Sequence, residues 1–310
     1  MTARVTACGL IAVTGATGFV GQALLDLAAA RGVPVRALAR QPQQPRVGVE
    51  WVAGDLADPA ALARLVKDAE AVIHIAGVVN APDAAGFVAG NVAGTLEAVT
   101  AGMVARTPRF VHVSSLSARE PQLSVYGASK LKGERIVMAS PLDWTVVRPP
   151  AIYGPRDREM FELFKFAKAG LVPLPPRGKM SVIHVDDLAA LLLALVPGGE
   201  DVSHRMFEPD DGKPGGWSHT SFARAIGWAL GKRVTALPLP RFALRLAARG
   251  DRIMRKSHAK LTADRVGYMC HPDWTVSEDA RVPEARWTPQ VGTRSGLKAT
   301  AKWYREAGWL

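Results

Sequence analysis

Short apolar runs of β character alternate with helix-patterned segments through the first half of this chain of 310 residues, and few architectures accommodate that rhythm. "LIAVTG" is followed by "VGQALLDLAAARG", where Val20, Leu24, Leu27 and Ala28 recur at helical spacing and Gly32 marks the stop. "VPVRALAR", "WVAGDL", "AEAVIHIAG", "RFVHVSSLSA" and "WTVVRPPAIYG" supply five more strands. "DPAALARLVKDA", opened by Asp58 as N-cap and by Pro59, is a helix, as are "NVAGTLEAVTAGMVA" and "YGASKLKGERIVMAS". Strands apolar on both faces, alternating with helices, predict an α/β fold: a doubly wound parallel sheet covered on both sides. After Gly154 the alternation breaks. "SVIHVDD" and "LAALLLALV" read as one more strand and helix returning to the sheet. The expected division is therefore 1–153 plus 181–200 for the sheet domain, and 154–180 plus 201–310 for a smaller C-terminal lobe. That lobe is rich in Pro, Gly and Trp.

The formal net charge is +11, which suits an anionic small molecule or a solvated basic surface. No zinc-finger spacing or RNA-binding signature points to nucleic acid. Cys8 and Cys270 stand far apart without a CxxC pattern, so neither a disulfide framework nor a metal cluster is expected. A reducing, cytoplasmic setting is the expectation. "VTAC", residues 5–8, has no apolar stretch before it and is not read as a lipoprotein signal. No apolar run is read as reaching the roughly 18 residues of a membrane span.

The stretch "VTGATGFVG" places Gly15, Gly18 and Gly21 between the first strand and the first helix. Small residues there let the backbone approach a pyrophosphate, and the helix N-terminus offers unpaired N–H groups at its positive end. Gly15 makes the tight turn, Gly18 allows close approach, and Gly21 lets the helix pack on the sheet. Strand, glycine turn and helix in this order predict a Rossmann-type dinucleotide domain. Residues 15–21 (Gly15, Ala16, Thr17, Gly18, Phe19, Val20 and Gly21) are its expected phosphate-binding stretch. After the second strand, Arg36 and Arg40 appear, with no carboxylate before Glu50. A guanidinium suits a ribose 2′-phosphate, so NADP(H) is the expected cofactor, with Arg40 as contact and NAD(H) as the alternative. Asp55 in "GDL" is the candidate for the adenine amino group.

"YGASK" sets Tyr126 and Lys130 one helical turn apart. The ammonium is expected to draw the phenol pKa toward neutrality, fitting Tyr126 to pass a proton to or from a substrate oxygen. Upstream, "VHVSSLS" brings three hydroxyls to a strand end. Ser115 is best placed for the same oxygen, with Ser114 and Ser117 as alternatives.

Together, "TGATGFVG", "GDL", "VIHIAG", "NVAGT", "VHVSS", "YGASK", "RPPAIYGP" and "IHVDDLA" resemble, in order over residues 11–190, the extended short-chain dehydrogenase/reductases of the epimerase/dehydratase superfamily. Within them, "VRALAR" is similar to the branch of dihydroflavonol reductases and 3β-hydroxysteroid dehydrogenases. The resemblance implies Tyr126 as acid/base, Ser115 polarising the carbonyl, and Lys130 also on the nicotinamide ribose. It implies Leu56, Ala76, Gly77, Pro149 and Ile152 beside the cofactor and Asn91 in a structural role, with a monomer or homodimer as the assembly. Only ten residues separate Ser115 from Tyr126, a short connection for the family.

The expected function is an NADP(H)-dependent oxidoreductase interconverting a carbonyl and a secondary alcohol on a small, mostly apolar substrate. The alternatives are a sugar-nucleotide epimerase or dehydratase with tightly held NAD, and a non-catalytic NADP-binding subunit or sensor. No metal is expected. His74, His184 and Asp186 read as structural, Arg148 as support for a strand end, and the lobe tryptophans as lobe core. The segment 241–260 combines Phe242, Leu246 and Ala247 with many arginines. It reads as a lobe helix with a basic outer face, and it is the candidate for peripheral membrane contact.

Overall fold

In a computed structural model of the chain, residues 9–255, 259 and 261–310 are described. Cys8 and positions 256–258 and 260 of the basic segment lie outside them. Six strands follow the predicted alternation: β1 (Ile11–Thr14), β2 (Val35–Ala39), β3 (Val49–Ala53), β4 (Ala71–His74), β5 (Arg109–Val113) and β6 (Asp143–Val147). The inner strands β1, β4 and β5 are buried at every residue, which is why they read as continuous apolar runs. Three short strands, β7 (Ala151–Tyr153), β8 (Leu171–Leu174) and β9 (Lys179–Met180), lead to β10 (Val182–His184). A further strand, β11 (Arg205–Phe207), completes a seven-stranded sheet in the order β3-β2-β1-β4-β5-β6-β11, parallel throughout.

Two expectations about the boundary change. The seventh sheet strand is β11, which the expected division places in the lobe; its partner β6 would otherwise be an open edge. "SVIHVDD" forms β10, which pairs with β7 and stays outside the large sheet. Only the helix after it, α7 (Val185–Ala194), returns to the first domain.

Helices cover both faces. On one side α7 joins α1 (Phe19–Ala30), with Leu24, Leu25, Leu188, Leu191 and Leu192 packed on the sheet. On the other side lie α2 (Pro59–Val66), α3 (Ala84–Val88), α4 (Gly94–Val104) and α5 (Val125–Met138). Asp58 caps α2 by accepting from the Ala61 N–H at 3.0 Å. A π-helical turn, Ala89–Ala93, joins α3 to α4 into one helix of 21 residues, Ala84–Val104. This helix is long and apolar enough to cross a membrane, with a mean hydropathy of 1.3, contrary to the expectation that no run reaches that length. Here it buries Phe87, Asn91, Thr95, Ala98 and Val99 as a wall of the sheet domain.

The C-terminal lobe holds α6 (Phe161–Ala169), α8 (His219–Ala229), α9 (Arg241–Arg255), α10 (Ala263–Met269) and α11 (Thr293–Glu306). It also holds the short strands β12 (Trp217–Ser218), β13 (Thr235–Pro238) and β14 (Asp273–Trp274). Its core is aromatic and aliphatic: Tyr153, Phe164, Phe222, Ile226, Leu297 and Tyr304 are buried. The tryptophans divide, since Trp217, Trp303 and Trp309 pack on this core, Trp287 packs on the core of the sheet domain, and Trp228 is half exposed.

Candidate active site

The chain builds outward from β1 to β3 on one side and from β4 to β11 on the other. The crevice between β1 and β4 is therefore the point where strand order reverses, the usual ligand position of such sheets. Gly15 turns there with φ +73°, and a Cβ on it would lie 2.6 Å from the Ala76 nitrogen. A Cβ on Gly21 would lie 2.2 Å from the Gly15 carbonyl oxygen, so the helix packs against the turn only because that position is glycine. No side chain caps α1 and its first turn carries no acidic residue. Its N-terminus is thus left to an anion, which is the fit a dinucleotide pyrophosphate requires.

The other expected cofactor residues lie at the carboxyl ends of neighbouring strands. Arg40 follows β2, is exposed, and makes no ion pair among the described residues. Arg36 is excluded from the ribose. Mid-strand, it binds Glu50 at 2.9 Å and the Lys67 carbonyl at 2.6 Å, which ties α2 to the sheet. Asp55 is exposed after β3 and accepts from the Ala57 N–H at 2.8 Å, while Leu56 packs toward Gly94 of α4. Ala76 donates to Thr14 Oγ1 at 3.3 Å, and Gly77 lies beside Asn91 and the Lys130 ammonium. Buried Pro149 accepts from the Leu116 N–H at 3.0 Å, and Ile152 and Phe19 pack on the same core cluster.

Tyr126 sits in the first turn of α5. Its hydroxyl faces Ser115 and Ser117, whose own hydroxyls bond each other at 2.9 Å. Strand alternation separates Ser114 from them: its Oγ donates to the buried carboxylate of Glu134 at 2.5 Å. Of the three serines, Ser115 and Ser117 face the tyrosine and Ser114 does not.

The expected drop in the tyrosine pKa is overturned. Burial pushes the Tyr126 hydroxyl up to about 12, outweighing the hydrogen bonds to Ser115 and Ser117 that pull it down. The Lys130 ammonium donates to the Val113 carbonyl at 2.9 Å. Lys130 itself is lowered to about 8 by burial, against the nearby Glu134 charge that raises it. Tyr126 is therefore a protonated phenol at neutral pH. Asn91 anchors the platform: it accepts from the Val78 N–H at 2.7 Å and donates to the Val78 carbonyl and Ser129 Oγ at 2.9 Å each.

His74 bonds Thr14 at 2.7 Å and Thr95 at 3.2 Å and is lowered to about 3 by burial. It is a neutral core histidine, stacked on His112 at 5.4 Å. His184 accepts from the Asp186 N–H at 3.3 Å as the cap of α7. Tyr153 is fully buried in the lobe core.

Sequence reasoning missed what the lobe contributes. Asp264 of α10 accepts from the N–H groups of Val125 and Tyr126 at 2.6 and 3.3 Å, capping α5 from the other domain. The Tyr268 ring lies 6.0 Å from the Tyr126 ring, and Phe87 flanks it at 6.1 Å. Arg265 bonds Tyr268 and pairs with Glu159. Nothing in "TADRVGYM" signals this long-range contact. Glu134 was legible: Tyr126, Lys130 and Glu134 fall on one helical face at successive turns. Its carboxylate holds Arg148 by two bonds of 2.8 and 2.7 Å.

This sheet, its glycine turn and its serine–tyrosine–lysine cluster define an NAD(P)-dependent oxidoreductase of the extended short-chain type. The chain belongs to the NAD dependent epimerase/dehydratase family, whose model matches residues 11–206. It is 38% identical over 314 residues to a ceramide reductase of Caulobacter vibrioides, covering 97% of this chain and 96% of that one. It is 28% identical to a 2-alkyl-3-oxoalkanoate reductase of Stenotrophomonas maltophilia, covering 93% and 97%. The structure of MoeE5 in complex with UDP-glucose and NAD shares the fold, with a TM-score of 0.73, 22% identity, and coverage of 97% and 99%.

Proposed function

We propose that this chain is an NADPH-dependent reductase of a ketone on a long-chain, apolar lipid, with Tyr126 as the proton donor. The observation that carries the reading is the Tyr126 hydroxyl, protonated, facing the Ser115 and Ser117 hydroxyls, and walled by the Phe87 and Tyr268 rings. Such a wall suits an apolar skeleton. The reductase names of the two relatives, one on ceramide and one on 2-alkyl-3-oxoalkanoates, support a lipid ketone as substrate.

When bound, the nicotinamide supplies the hydride that reduces the carbonyl carbon. Ser115 orients the carbonyl oxygen by donating a hydrogen bond, and Tyr126 gives its proton to that oxygen. Lys130, fixed by the Val113 carbonyl, retains two ammonium hydrogens for the ribose hydroxyls and for the phenolate left behind. Arg40, exposed at the end of β2 and without an ion pair among the described residues, supports a preference for the 2′-phosphate of NADP(H) over NAD(H).

The test is NADPH oxidation with a keto-ceramide in detergent micelles, comparing wild type with Tyr126→Phe. Turnover is expected to fall by about a hundredfold or more, with NADPH binding, read by tryptophan fluorescence, retained. Full turnover in the variant would remove Tyr126 from the proposal. Co-purified NAD that does not exchange with solution would point to epimerisation instead.

A further inference from the structure

Helix α9 is apolar on two opposite faces. Leu244 and Ala248 point inward and pack on Val266 of α10, with Leu239, Leu261 and Cys270 around them. At 100° per residue, Phe242, Leu246 and Ile253 fall on the opposite side, 68%, 60% and 78% exposed, with Met254 at 84% beside them. The basic outer face expected from the sequence is present in exposed arginines, and beside them the outward side carries an apolar stripe. Arg241, Arg245, Arg249 and Arg252, spaced by four, four and three residues, form an exposed row along one edge of that stripe. Asp251, the one acidic residue of α9, turns inward, accepting from the Leu261 N–H at 2.8 Å and pairing with Arg255.

We infer that this outer face of α9 docks the protein on a bilayer carrying anionic lipid. A row of arginines beside exposed Phe, Leu and Ile matches acidic headgroups over acyl chains. A second copy meeting the same face would set two arginine rows against each other in a protein of net charge +11, so charge complementarity selects the lipid surface. The position adds weight. The inner face of α9 rests on α10, and α10 carries the Tyr268 ring beside Tyr126 and the Asp264 cap on α5. A docked α9 therefore holds the cover of the reactive hydroxyl at the membrane surface, where a long-chain ketone resides. That last step rests on the lipid-reductase reading; the docking itself does not.

The experiment is flotation of the whole protein, without substrate or cofactor, on phosphatidylcholine vesicles with and without phosphatidylglycerol. Wild type is compared with a Phe242→Ser, Leu246→Ser, Ile253→Ser triple variant. Wild type is expected to float with the anionic vesicles and to be released by salt, and the triple variant to bind about tenfold more weakly or less. Reduction of a short, water-soluble ketone should be equal in both, which also shows the variant folded. Failure of wild type to float at low salt, or equal flotation of the variant, overturns the inference. So does a concentration-dependent dimer in sedimentation that the same substitutions abolish. Flotation by wild type alone, without turnover of any long-chain ketone, upholds the docking face and sinks the substrate reading.

Discussion

Replacing Asp264 by alanine tests whether the lobe holds the catalytic helix in place. The first turn of α5 presents three N–H groups that no intrahelical carbonyl can reach. Ser124 Oγ accepts from Gly127 at 2.9 Å, and the two oxygens of Asp264 accept from Val125 at 2.6 Å and Tyr126 at 3.3 Å. All three are satisfied, two of them by a side chain from another domain. Asp264→Ala removes a carboxylate from the positive end of a 14-residue helix and frees two donors. Val125 is exposed, so water replaces one of these bonds. The net loss is about 1–2 kcal/mol, from one charge-assisted hydrogen bond and the helix-dipole contribution. Calorimetry should show a melting point lower by roughly 2–6 °C. Because Tyr126 is the second residue of that helix, kcat/KM for the ketone should fall about tenfold, the equivalent of 1.4 kcal/mol in the barrier. NADPH affinity should hold, since the glycine turn lies on another element. Asp264→Asn, which keeps an acceptor oxygen, should fall between. Unchanged melting and unchanged kinetics in Asp264→Ala would refute the coupling of lobe to catalytic helix.

Three further outcomes are expected. Gly21→Ala, whose Cβ would press on the Gly15 carbonyl and the Ala16 Cα at 2.2 and 2.5 Å, should abolish NADPH binding in a fluorescence titration. Arg40→Asp should weaken NADPH while leaving NADH binding equal or tighter; a parallel loss of both would show that Arg40 does not read the 2′-phosphate. Stability should fall as the solution is acidified below pH 6.5. Burial lowers His74 to about 3 and His112 well below its ordinary value, so in that window the unfolded chain takes up protons that the folded chain refuses. Asp157, raised by burial to about 7, works in the opposite sense above pH 3.8 and cancels one histidine. The other buried histidine, with His184 and His219 also lowered by burial, leaves a net loss between pH 6.5 and 5, visible as a lower urea midpoint, and a flat profile would contradict it.

The sheet, the glycine turn and the Tyr126–Lys130 pair were legible because each is a local pattern: strand hydrophobicity, a turn that needs glycine, one helical face. What escaped depends on distance. The seventh strand is three residues long, and only its pairing with β6 gives it meaning. The tyrosine pKa was misread because spacing puts Lys130 one turn away but does not say that its ammonium turns to Val113, or that burial dominates. Arg36 and Arg40 look alike in sequence; one is mid-strand under α2 and the other at the strand end, and only the fold separates them. The lobe's hold on α5 joins Asp264 to Val125 across 139 positions, which no local signal records.

The charged chain beneath the site has a consequence for how this enzyme tolerates change. Glu134, fully buried, holds both Arg148 and Ser114; Arg148 also faces Glu208 at 3.7 Å, and Glu208 reaches Arg119 at 3.3 Å. Removing Glu134 or Arg148 alone takes from the other its ion-pair partner in a place largely away from water, whereas an apolar replacement of the whole set can be close to neutral. Helix α5, the end of β6 and the segment after β11 therefore form one mutational unit. Variation within it should be found in correlated sets, and a redesign that changes one member has to change its neighbours in the same step.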